Sequence, residues 1–109
     1  MDAENDRSDL SGEDDLARDD KALRLRARGK SFVAVAKALG YGRARQANDA
    51  FNRALRRKPP AERESLRRQE LARLDTMAEG VRASQELGPD DVARRLRIVE
   101  RLRARLLAE

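Results

Sequence analysis

Two glycines, Gly40 and Gly42, flank a tyrosine in the middle of residues 31–55, SFVAVAKALGYGRARQANDAFNRAL, and apolar residues recur at helical spacing on both sides of them. Upstream, Phe32, Val35, Ala36 and Leu39 share one helix face. Ser31 stands where its hydroxyl can accept an orphan backbone N–H as an N-cap. Gly40 falls where that helix must stop at positive φ, Tyr41 follows as an apolar plug, and Gly42 lets the chain turn again. Downstream, Ala47, Ala50, Phe51, Ala54 and Leu55 follow the i, i+3, i+4, i+7, i+8 pattern. A second helix starting near Arg43 therefore lays this face against the first, and the spacing predicts a helix-turn-helix.

The opposite face of the second helix is polar. At 3.6 residues per turn it carries Arg45, Asp49, Asn52 and Arg56 near its centre, with Gln46, Asn48 and Arg53 on its flanks. Arginine pairs bidentately with guanine, and asparagine or glutamine with adenine, so this face suits base reading in a major groove. A charged helix face is more often only solvated, but a surface selected for stability mixes signs. Residues 21–60 carry Lys21, Arg24, Arg26, Arg28, Lys30, Lys37, Arg43, Arg45, Arg53, Arg56, Arg57 and Lys58 against one acid, Asp49. Motif and basic footprint together point to double-stranded DNA. Lys30, Ser31, Lys37, Arg56, Arg57 and Lys58 are the candidate phosphate contacts. Asp49 either accepts from a cytosine amino group or pairs within its helix with Arg45 or Arg53, and the ion pair is the simpler reading.

Of the 109 residues 41% are charged and only 3% aromatic, and the three aromatics Phe32, Tyr41 and Phe51 all lie in this one segment. The rest has to be stabilised by helices packing on one another or on other copies, so a homo-oligomer is expected. Cysteine and histidine are absent, which removes thiolate nucleophiles, the usual zinc ligands and the commonest neutral-pH base. No catalytic constellation remains, and neither an enzyme, a cofactor, a metal nor a small-molecule ligand is expected. No apolar run approaches the ~20 residues that span a bilayer, and the N-terminus is acidic, the reverse of a signal peptide. A cytoplasmic protein of a bacterial host cell is the expectation, without a membrane partner.

The net charge of +5 conceals a polarised chain. Residues 1–20 hold nine acids, Asp2, Glu4, Asp6, Asp9, Glu13, Asp14, Asp15, Asp19 and Asp20, against Arg7 and Arg18. Residues 1–10 are nearly free of apolar side chains and read as an acidic disordered tail. A solubilising role is the simpler account of it, and competition with DNA for the basic surface the alternative. Ser11 with Asp14 three residues on resembles a capping box, and a support helix over 12–28 follows, with Leu16, Ala22, Leu23, Leu25 and Ala27 apolar and Gly29 ending it. Residues 11–58 thus form a three-helix unit.

Pro59 and Pro60 break the chain and mark the hinge between two domains. Over 61–109 two further helices are expected, one at 61–82 and one starting after Pro89, joined by a short loop and folded back as an antiparallel, coiled-coil-like hairpin. Leu71, Leu74, Met77, Ala78 and Val81 on the first and Val92, Leu96, Val99, Leu102 and Leu106 on the second supply the apolar seam for self-association, with Leu66, Ile98 and Leu107 beside it. The fold class is all-α.

The pattern ALRLRARGKSFVAVAKALGYGRARQANDAFNRAL, then RRQELARLDTM, then LGPDDVARRLRIVERLRARLL, resembles small terminase subunits and related helix-turn-helix proteins of actinobacterial phages and prophages. The resemblance covers residues 22–107, and its most characteristic pieces are LGYGRARQA and LRIVER. It implies recognition of phage DNA near the packaging start, assembly of the hairpins into a multi-subunit ring, and delivery of DNA to a large terminase subunit that hydrolyses ATP. By matching position, Arg43, Arg45, Gln46, Asn48, Asn52 and Arg53 would be the reading face, and Leu71, Leu74, Val92, Leu96 and Val99 the assembly core. Small terminases usually continue after the hairpin into a segment that contacts the motor, whereas this sequence ends at Glu109. The apolar positions of the second motif helix fall one residue later than in the commonest repressors, which implies a longer turn. A small regulator or replication or partition factor of a mobile element, acting as a dimer on paired half-sites, is the competing reading. A helical adaptor that binds another protein is the third.

Overall fold

The computed structural model describes the backbone of residues 3–108 and the side chains of residues 14–108. The described residues form five α-helices and no strand: α1 (Ala3–Ala27), α2 (Phe32–Leu39), α3 (Ala44–Arg56), α4 (Pro60–Ala83) and α5 (Pro89–Leu107). They divide into two compact units, one ending at Lys58 and one beginning at Pro59.

In the first unit α3 packs on both α1 and α2. Its core is Ala22 and Leu23 from α1, Phe32, Val35, Ala36 and Leu39 from α2, and Ala47, Ala50, Phe51, Ala54 and Leu55 from α3. Ala22, Ala47, Ala50 and Ala54 are wholly buried, and their small side chains let the helices approach closely. The rings of Phe32 and Phe51 meet edge to face, 5.6 Å between centroids, a geometry worth about 0.5–1.5 kcal/mol beyond the area it buries.

Both turns of this unit are built alike. Gly29 (φ 91°) and Gly40 (φ 78°) are left-handed. The N–H of the residue after each reaches back into the preceding helix, Lys30 to the Leu25 carbonyl at 3.2 Å and Tyr41 to that of Ala36 at 2.9 Å. Ser31 caps α2, its Oγ accepting from Ala34 N–H at 3.1 Å.

Helix α1 corrects the expectation for the N-terminus. It begins at Ala3, so residues 3–10 are helical where the composition suggested a disordered tail, and Ser11 lies within the helix instead of capping it. No proline interrupts residues 3–27, and the one glycine, Gly12, costs about 1 kcal/mol, less than nucleating a second helix. Met1 and Asp2, and the side chains of the acids up to Glu13, lie outside the described residues. Leu16, expected on the apolar face, is exposed, and the buried stripe of α1 among the described residues starts one turn later at Asp19.

In the second unit α4 packs on α5, with residues 84–88 between them. Pro60 and Pro89 occupy the first turns of the two helices, where a missing N–H costs nothing. Leu74, Ala78, Val81, Val99 and Leu106 are buried, and Leu71, Val92, Leu96 and Leu102 are half-buried. Five of the ten positions expected to join copies are thus already buried within one chain, because the seam between α4 and α5 consumes them. Of the ten, Met77 is exposed, as are Ile98 and Leu107 beside them. Glu70, an unexpected buried acid, pairs with Arg73 at 3.3 Å, and Arg103 on α5 donates to Asp75 on α4 at 2.6 Å. No helix among the described residues is long and apolar enough to cross a membrane.

Candidate nucleic-acid interface

Packing on two neighbours buries most of the circumference of α3. At ~100° per residue, Ala47, Asn48, Ala50, Phe51, Asn52, Ala54 and Leu55 cover an arc of about 200°. Arg45, Gln46, Asp49, Arg53 and Arg56 share the remaining arc, on which only Asp49 is partly shielded.

Two of the expected base-reading residues are therefore not on the surface. Asn48 and Asn52 are 3% and 4% exposed, and Asn52 Nδ2 donates to Asn48 Oδ1 at 3.3 Å one turn away. The bond gives Asn52 Nδ2 and Asn48 Oδ1 each a partner inside the unit. The expectation assumed that a polar side chain on α3 faces solvent, but packing on both α1 and α2 leaves α3 only a narrow exposed strip, and these two residues fall outside it.

Gln46 is exposed but partly committed. Its Oε1 accepts from the backbone N–H of Arg43 at 3.0 Å, which caps the start of α3. Reading adenine bidentately needs that oxygen as well as the amide nitrogen, so in this conformation Gln46 has one acceptor lone pair and its amide N–H groups left for a base. Arg43 sits at the N-cap position and is exposed. Arg45, in the first turn of α3, is exposed and has no hydrogen bond or ion pair among the described residues.

Arg53 is anchored. Its Nε and Nη2 donate to Oδ2 and Oδ1 of Asp19 on α1, each at 3.0 Å, and Arg57 Nη2 donates to the same Oδ2 at 3.2 Å. These hydrogen bonds raise the pKa of Arg53 from an already high value, against a smaller opposing desolvation, so the group stays cationic. Asp49, expected to pair with Arg45 or Arg53, makes no ion pair within 4 Å among the described residues, because Arg53 turns to Asp19 instead. The charge of Asp49 acts on Arg53 only at longer range.

Of the phosphate candidates, Lys30, Ser31, Lys37, Arg56 and Arg57 are exposed and Lys58 is half-buried. Ser31 spends its hydroxyl as an acceptor in the α2 cap, which leaves its O–H to donate. Lys30 receives a hydrogen bond on its carbonyl from Arg26, whose buried guanidinium lies 4.1 Å over the Phe32 ring. Arg18, paired with Asp15, stacks its guanidinium 5.0 Å from the centre of the Tyr41 ring and so ties α1 to the turn before α3.

Asp19 and Arg26 are the buried charges beside the candidate interface that sequence reasoning missed, although a signal was present. Asp19, Ala22, Leu23 and Arg26 fall at i, i+3, i+4 and i+7, the spacing of one buried stripe. Reading only apolar residues into that stripe left out the two charges at its ends.

No protein family model matches the chain, and neither a curated protein nor a solved structure matches it at a significant level.

Proposed function

We propose that this is a sequence-recognising double-stranded DNA-binding protein, in which α2, the Gly40 turn and α3 constitute a helix-turn-helix supported by α1. The observation that carries this reading is the exposed arc of α3. Arg45, Gln46, Arg53 and Arg56 stand there with a single acid, Asp49, while the rest of the helix is fixed against two neighbours. A rigid helix presenting arginines on one outward strip is suited to a major groove, with Arg45 in its first turn at the depth where bases are read. Arg43 and Gln46 flank it, and Lys30, Lys37, Arg56, Arg57 and Lys58 supply backbone contacts.

The α4–α5 unit is an antiparallel helical hairpin through which copies associate. Met77, Ile98 and Leu107, apolar and exposed on a unit with few buried residues, support this reading. Combined with the likeness of its sequence to small terminase subunits, DNA recognition and self-association make a packaging-initiation subunit that hands DNA to an ATP-hydrolysing partner.

Enrichment of bound duplexes from a random-sequence DNA pool tests the recognition. A shared motif is expected, and recovery of an unbiased pool would contradict it. Light scattering with and without the enriched duplex tests the packaging role: about eight or more chains per particle is the expected ring, whereas a dimer makes the protein a regulator.

A further inference from the structure

Asp19 is the one buried carboxylate among the described residues of α1, α2 and α3, and both of its partners come from α3 and the residue that caps its end. Its side chain is 3% exposed, while those of Arg53 and Arg57 are 50% and 40% exposed. The acid thus lies beneath two guanidiniums that remain open to solvent.

The manner of pairing determines what the arginines have left. A guanidinium carries five N–H bonds. Arg53 meets Asp19 side-on, through Nε and Nη2, so both hydrogens of Nη1 and the second of Nη2 remain. One hydrogen of each Nη lies at the end-on edge, which matches two oxygens of a phosphate. Arg57 gives Asp19 one hydrogen from Nη2. The buried carboxylate faces two cations, and Asp20, half-exposed and 4.0 Å from Arg57, is a second counter-charge more weakly coupled through solvent.

We propose that Arg53 and Arg57, held by Asp19, form a pre-ordered site for a backbone phosphate of DNA, with Asp19 as its positioning residue. The proposal rests on the DNA-binding reading and deepens it. A mobile arginine loses side-chain freedom when it grips a phosphate; here Asp19 has imposed that loss before DNA arrives. The position of Arg53 favours phosphate over base, since it lies in the last turn of α3, and the first turns of such a helix are the ones that read base edges.

The test compares wild type, Asp19→Asn and Asp20→Asn for affinity to a mixed-sequence duplex across a salt series. Each variant gains one unit of positive charge, which by itself strengthens DNA binding. Asp20→Asn is expected to bind as well as wild type or better. Asp19→Asn is expected to bind more weakly, with a dependence of log K on log salt that is shallower by about one, because one phosphate fewer is neutralised. Tighter binding by Asp19→Asn, or binding equal to Asp20→Asn with an unchanged slope, overturns the proposal.

If Asp19→Asn lowers the folded fraction, the salt slope still decides, because it reports the phosphates neutralised by the protein that binds. Arg53→Lys provides a second reading: it keeps the charge but cannot fork, so it is expected to lose affinity, and equality with wild type counts against the site. A wild-type protein that does not bind duplex DNA sinks the DNA-binding reading and this site with it. A wild type that binds while Asp19→Asn is unaffected sinks the site alone.

Discussion

The carboxylate of Asp19 on α1 accepts two parallel hydrogen bonds from Arg53 on α3, each 3.0 Å long and joining residues 34 positions apart. This pair fixes α3 against α1. It also divides the basic surface into arginines with a structural anchor and those, such as Arg45, without one among the described residues. That division gives substitutions on one helix opposite expected effects.

Asn52→Ala should destabilise the first unit by about 1–3 kcal/mol, because it strips the buried Asn48 amide of its partner. Urea unfolding measures the loss. The sequence preference of the folded protein should not change; a stable variant with altered preference would return the two asparagines to the reading face.

Arg45→Ala should do the reverse. Stability should stay within about 0.5 kcal/mol, since the side chain is exposed and packs on nothing essential. Affinity for the preferred sequence should fall by about 1–3 kcal/mol and base choice relax at one position. A uniform loss across all sequences would make Arg45 a phosphate contact.

Two glycine substitutions test the backbone. A Cβ at Gly40 meets no atom within 4 Å, so Gly40→Ala costs only the left-handed conformation at φ 78°, about 1–2 kcal/mol. Gly80 lies within α4, also with open space around it, and Gly80→Ala should stabilise the second unit by about 0.5–1 kcal/mol. Thermal melting of each variant checks the two signs.

In the second unit, Leu74→Ala should cost about 2–5 kcal/mol, because Leu74 is completely buried between α4 and α5. Ile98→Lys should leave helicity intact, since Ile98 is 45% exposed, yet reduce the mass measured by light scattering. An unchanged mass would place the contact between copies elsewhere.

Features set by near neighbours in the chain were the legible ones. The Ser31 cap, the left-handed Gly40 and the apolar faces of α2 and α3 all follow from side-chain spacing and local backbone chemistry. The burial of Asn48 and Asn52 was not legible, because it depends on how α1 and α2 both pack on α3, and helix periodicity does not say how many neighbours a helix has. The helical backbone of residues 3–10 was missed because composition reports the lack of apolar side chains but not the absence of a break. Asp19 and Arg26 obeyed the periodicity while their charge argued for solvent; a long-range partner for one and an aromatic ring for the other reversed that inference.

The most direct test of the central claim is the affinity of the whole chain for a duplex of mixed sequence, followed as salt is raised. Binding through the α3 arc and its flanking cations predicts a linear fall of log K with log salt, by about 0.9 for each phosphate neutralised. No binding at low salt, or binding indifferent to salt, would contradict the account.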